Sequence, residues 1–189
     1  MRLLSLNLGP VRPLTTLDGR TVPSAIGKQS AVGPVAVGHL GLAGDAQADL
    51  SVHGGLARAL YAYPSEHLPF WQTVRAQARV AEWGAAIAPG LLGENLLLAG
   101  LLESQVWIGD RLVFPNCELL VSEPRMPCFK LNAALGFSQA VKLMSQSGYC
   151  GFYLAVQREG SLSAGESFEL QPGPREVGIA ELFRQKTGR

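Results

Sequence analysis

The octapeptide 124-PRMPCFKL-131 sets a thiol, Cys128, three residues after Arg125 and two before Lys130. An ordinary thiol has a pKa of about 8.5, so little of it is ionised at neutral pH. Nearby cations favour the thiolate, the form that binds soft metals and attacks electrophiles. Pro124 and Pro127 stiffen the approach, and Pro127 cannot donate a ladder hydrogen bond. The competing reading is a small buried core residue, which is the usual fate of cysteine. Cys117 in PNCELLV and Cys150 in GYCGFYL lack flanking cations and read as core packing.

A second dense stretch is 44-GDAQADLSVHGG-55, which brings Asp45 and His53 between glycines, with Arg58 soon after. Gly44, Gly54 and Gly55 permit backbone shapes other residues resist and let a ligand approach main-chain N–H groups. A polar turn with a surface histidine accounts for the same residues. Glu94 and Asn95 in GEN stand just before an apolar run, where they brace a loop or line a site. Lys28 sits in a Gly-containing turn, where a solvated lysine is the default. Cys128 and His53 could meet in space with Asp45 orienting the imidazole, the arrangement of a Cys–His hydrolase. No GxxxxGK[ST], HExxH or GxSxG occurs. The three cysteines form no CxxC and no iron–sulfur spacing, and the three histidines lack the i, i+4 spacing of a helical zinc pair. Neither zinc nor an iron–sulfur cluster is therefore expected.

These residues need a scaffold. The 189 residues are 47% hydrophobic, with 22 Gly and 12 Pro, which excludes disorder and suggests a turn-rich, mainly β chain. A net charge of +1, with no Lys or Arg run longer than two, gives no footprint for duplex nucleic acid. No secretory signal and no apolar run of membrane-spanning length is present, so the cytoplasm is the expected location. Residues 3–8, the segment ALYAY, NLLLAG, QVWIGDRLVF and ELLVSEP read as strands, and 25–45 as two short strands with tight turns. Residues 18–24 are turn-rich and 84–95 form a loop. FYLAVQREGSLSAGESFEL reads as strand, turn, strand. Helices are expected over 65–80, with Ser65 as cap, over about 133–146, and in the tail 176–189. About ten short strands with a few helices in the connections suggest a closed or nearly closed β barrel, since closure removes exposed edges.

Taken in order, GDAQADLSVHGGLARALYAYP, GENL and PRMPCFKLN resemble the MOSC domain, named for the C-terminal domain of molybdenum cofactor sulfurase, and more closely its small stand-alone bacterial members. The resemblance spans roughly residues 20–172, with 1–175 as the MOSC β-barrel domain and 176–189 as a short helical tail. It implies a molybdenum–pterin cofactor, with Cys128 as metal ligand or sulfur carrier. It also implies reduction of N-hydroxylated compounds to amines, with electrons from a separate reductase. On that footing His53 is the candidate for proton delivery, and Asp45 for orienting His53 or a water. Lys28, Arg58, Arg125, Lys130 and Asn95 are candidates for holding the cofactor. The alternative within the resemblance is a cofactor or sulfur carrier with a persulfide on Cys128 and no turnover. Longer stand-alone relatives continue into a C-terminal helical extension, whereas one helix is expected here before Arg189. Nothing in the sequence signals an oligomeric state.

Overall fold

A computed structural model describes residues 1–47 and 54–188. The alternation of side chains across two strands explains the architecture. Leu60 and Ala62 of β7 (Leu60–Pro64) enter one apolar cluster, and Tyr61 and Tyr63 enter another on the opposite face. Leu96 and Leu98 of β8 (Leu96–Ala99) join the first, and Leu97 joins the second. A strand covered on both faces reads as an unbroken apolar run, as LLLA does here.

β7 and β8 pair in parallel, with Ala62 opposite Leu96. Parallel neighbours need a crossover, and this one carries helix α1 (Leu68–Gln77). The expected 65–80 helix begins instead as a 3-10 turn at Ser65–His67. The other members of the main sheet pair antiparallel: β1 (Arg2–Leu8), β4 (Gln29–Ser30), β9 (Arg111–Val113), β10 (Glu118–Pro124), β11 (Phe152–Arg158) and β13 (Glu169–Gln171). The order is β13-β9-β10-β11-β7-β8-β1-β4.

The sheet corrects the barrel expectation: among the described residues it is open between β4 and β13. Those end strands are only two and three residues long. The start of β1 meets the approach to β13 through one isolated bridge, Arg2 with Ser167, and hydrogen bonds such as Leu3 N–H to Glu166 O. A turn at 163–166 interrupts the would-be ladder there. The coarser reading, mainly β with a few helices, stands, with four α-helices among the described residues.

Two small sheets complete the fold. The expected turn at 18–24 instead supplies β3 (Thr21–Ser24), which pairs with β2 (Arg12–Thr15). Pro13 faces Pro23, a position where neither strand has an N–H to donate. The segment expected to hold two strands holds three: β4, β5 (Val35–Gly38) and β6 (Gly41–Leu42). β5 also pairs with β12 (Gly160–Leu162). The single helix expected at 133–146 is two, α2 (Lys130–Leu135) and α3 (Ala140–Ser147). Gly136, at φ +84°, ends the first, a left-handed cap that needs no Cβ relief. Helix α4 (Ile179–Lys186) lies within the expected tail and buries Ile179 and Phe183. No helix among the described residues is long and apolar enough to cross a membrane.

Candidate functional site

The site grows from a loop that glycine lets in close. Gly90 has φ +85°, and a Cβ there would lie 2.4 Å from the carbonyl oxygen of Lys28. Lys28 donates its N–H to Gly90 O at 2.9 Å, so the GLLGEN loop docks on the lysine's own backbone. Glu94 holds the loop in shape, its two oxygens accepting the N–H groups of Gly90 (2.5 Å) and Leu92 (3.1 Å). Burial pushes the Glu94 carboxyl up to about 7, against the opposing pull of those N–H groups and of Lys28.

Lys28 Nζ is paired with Asp45 Oδ1, and both side chains are only 6% exposed. Asp45 Oδ1 also accepts Gly9 N–H, and its Oδ2 accepts Asn95 Nδ2–H at 2.9 Å. Asn95 in turn donates to Asn7 O and accepts Tyr61 N–H. Asn95 is thus a brace joining β1, β7 and Asp45. Both Asp45 oxygens already serve this network, so holding the lysine is what its geometry expresses.

Lys28, Asp45, Arg58, Asn95, Arg125, Cys128 and Lys130 all line one cleft, open to solvent, with a cavity volume of about 110 Å³. Seven of the eight site residues expected from sequence therefore meet. The eighth, His53, lies outside the described residues, and so does its relation to Asp45. Cys128 is half-buried in the link between β10 and α2, and none of the three cysteines is in a disulfide. Lys130 anchors this link by donating to Pro23 O at 2.8 Å. Cys117 and Cys150 are fully buried, as their sequence settings suggested.

The cations differ in how their charge is met. Arg58 makes a two-pronged ion pair with Glu123, at 2.7 and 3.2 Å, which raises its basicity; Glu123 also faces Lys186 of α4 at 3.7 Å. Arg125 is 5% exposed and faces no carboxylate within ion-pair distance among the described residues. Its guanidinium lies 5.4 Å from the Tyr61 ring centre and donates to Met144 Sδ at 3.2 Å. A buried cation without a counter-charge is costly unless something anionic joins it.

Tyr61 and Tyr153, opposite each other on β7 and β11, also line the cleft. Sequence reading missed both, because a tyrosine in an apolar strand carries no sign of which face it will occupy. No group of three or more His, Cys, Asp or Glu able to hold a metal occurs among the described residues. The cleft therefore offers a single thiol, positive charge and aromatic walls, which suits a ligand bringing most of its own metal ligation.

The MOSC domain family model matches residues 49–169. A Bacillus subtilis protein, "Uncharacterized protein YflK", is 39% identical over 97% of this chain and 79% of its own length. A Gibberella moniliformis protein named "Reductase" is 35% identical over 82% of this chain, a match that takes in 27% of that protein. The crystal structure of YiiM from Geobacillus stearothermophilus superposes with a TM-score of 0.75 at 31% identity, covering 98% of this chain and 83% of that one.

Proposed function

This chain belongs to the MOSC domain family, and on that premise we propose that its cleft holds a molybdenum–pterin cofactor and reduces N-hydroxylated compounds to amines. The observation that carries the proposal is the meeting, in one cleft, of the half-buried Cys128 thiol with the buried guanidinium of Arg125, which has no carboxylate partner among the described residues. The donor set fits the cofactor: its pterin brings two sulfur ligands of its own, so one protein thiolate suffices, and its phosphate is an anion that Arg125 does not meet among the described residues.

When bound, the cofactor supplies two-electron oxygen-atom chemistry. The chain's own residues do the rest. Cys128 presents the thiolate. Arg125, fixed by Tyr61 and Met144, offsets negative charge. Lys28, neutralised by Asp45, braces the wall and adds little net charge. Arg58 is held by Glu123 and keeps the rim in place. A separate cytoplasmic reductase supplies the electrons. The family resemblance to the protein named "Reductase" supports a redox role.

The test is metal and pterin analysis of protein from a cofactor-competent host, joined to an assay with a reduced dye and an N-hydroxylated purine. About one molybdenum and one pterin per chain with amine formation are expected, and Cys128→Ser should lose both. Metal-free protein without turnover overturns the proposal. Cyanide-releasable sulfur on Cys128 without turnover would instead identify a sulfur carrier.

A further inference from the structure

Among the described residues, Tyr153 lines the cleft with a hydroxyl that has no protein partner. Its ring is pinned from two sides, 5.6 Å from the Tyr61 ring centre and 5.8 Å from the Arg58 guanidinium. Its hydroxyl makes no hydrogen bond among the described residues, whereas its two tyrosine neighbours are committed. Tyr61 Oη–H donates to Cys150 O at 2.7 Å, and Tyr63 Oη–H donates to Tyr149 O at 3.1 Å while accepting Trp71 Nε1–H. Tyr153 is partly buried and its hydroxyl is not sealed from solvent, so a ligand entering the cleft can reach it. A phenol fixed by its ring, facing a cleft, with its own hydrogen bond unmade, is arranged to give that bond to a ligand.

Among the described residues, the other proton-bearing groups on the wall are poor donors for chemistry; His53 lies outside them. Lys28 is paired with Asp45 and Lys130 with Pro23 O. Arg58 and Arg125 are guanidinium groups, which do not release protons in proteins. Ser24 is an alcohol, a far weaker acid than a phenol, and its Oγ accepts Ile26 N–H. Cys128 is reserved as the thiolate. Glu94 lies behind the wall, on the Gly90 loop.

We propose that Tyr153 is a catalytic residue that hydrogen-bonds the N–O oxygen of the substrate and protonates it as the bond breaks. The inference rests on the reductase reading above and names a residue that reading does not. The overall change is R–NHOH + 2 e⁻ + 2 H⁺ giving R–NH₂ + H₂O. The N–O bond accepts two electrons originating in the partner reductase and breaks. One proton passes from Tyr153 Oη to the departing oxygen, and solvent supplies the proton on nitrogen and restores the phenol. Positioned acids of this kind contribute about 10²–10⁴-fold in rate.

Tyr153→Phe keeps the ring and its contacts with Tyr61 and Arg58. The expected result is a kcat lower by about 10²-fold or more, a KM raised by no more than about 3–10-fold, the worth of the lost hydrogen bond, molybdenum content and melting temperature nearly unchanged, and partial rescue by a small weak acid that does nothing for the wild type. A second measurement needs no turnover. Cofactor-free wild-type protein should bind an N-hydroxylated purine about 3–10-fold tighter than the matching amine, one hydrogen bond's worth, and Tyr153→Phe should bind the two equally. Undiminished kcat in Tyr153→Phe, loss of activity without rescue, or equal preference in wild type and variant overturns the assignment. Full turnover in wild type and variant alike sinks Tyr153 and leaves the reductase reading intact. An inactive wild type sinks both.

Discussion

Replacing Asp45 by alanine removes the counter-charge from a lysine that solvent barely reaches. Lys28 and Asp45 side chains are each 6% exposed, and Asp45 also satisfies Gly9 N–H and Asn95 Nδ2–H. Breaking one side of a buried pair costs about 3–5 kcal/mol, because the remaining charge is left unmet. For a chain of this size each kcal/mol moves the melting temperature by about 2–4 °C, so Asp45→Ala should melt about 6–20 °C below wild type. Lys28→Met alone should cost less, since Asp45 retains two N–H donors. The double variant removes both charges and should recover an interaction energy of about 2 kcal/mol relative to the sum of the singles. Urea unfolding of all four proteins, read by tryptophan fluorescence and compared through midpoints and slopes, measures this directly. An interaction energy below about 0.5 kcal/mol would refute the reasoning. Lys28 would then be a solvated side chain available to ligands, and its place as a neutralised wall residue would be wrong.

Two further outcomes follow from single groups. Arg125→Met should weaken retention of the anionic cofactor by about 10–100-fold, the worth of a charge-assisted hydrogen bond. It should also leave the cofactor-free protein as stable as wild type or more stable, since a buried cation with no carboxylate partner among the described residues is removed; pterin content and thermal melting read the two effects. Glu94 sets a pH dependence. Its folded carboxyl is raised to about 7 from an ordinary 4.5, so between those values the native chain holds a proton that the unfolded chain has lost. Stability from this group is complete below about pH 4.5 and is lost as pH rises to about 7, by about 3 kcal/mol. Urea midpoints at pH 5 and pH 8 should show the loss in wild type and a smaller one in Glu94→Gln.

Local chemistry was more legible in the sequence than closure of the sheet. Cys128 with Arg125 and Lys130 could be picked out because cations around a thiol have a physical purpose. Their meeting with Lys28, Asp45 and Asn95 depends on long-range packing, such as the approach of Gly90 to Lys28, and only the ordered motifs hinted at it. Periodicity located β7, β8, β10 and β11 well, since ALYAY, LLLA, ELLVSEP and FYLAV must each bury side chains. It misjudged 18–24 because proline and glycine mask a hairpin whose prolines face each other. It merged α2 with α3 because Ala133 to Gln146 keeps helical spacing across Gly136. Closure was out of reach because the two end strands are too short to declare their partners. Tyr153 was out of reach because its significance is an unmade hydrogen bond, which no string of letters records.

The walls of the cleft come from Ser24 near one end of the chain and from Tyr153 toward the other, with contributions at 45–47, 58–61, 92–95 and 125–130 between them. Such a receptor cannot assemble piecemeal. Whatever it clasps must wait until the sheet is finished, and will then resist the sheet's undoing by RT ln(1 + [L]/Kd). Occupancy thereby becomes a reporter of the entire polypeptide: a bound guest raises the melting point of strands that never touch it, and a lesion far from the cleft announces itself as a weaker grip.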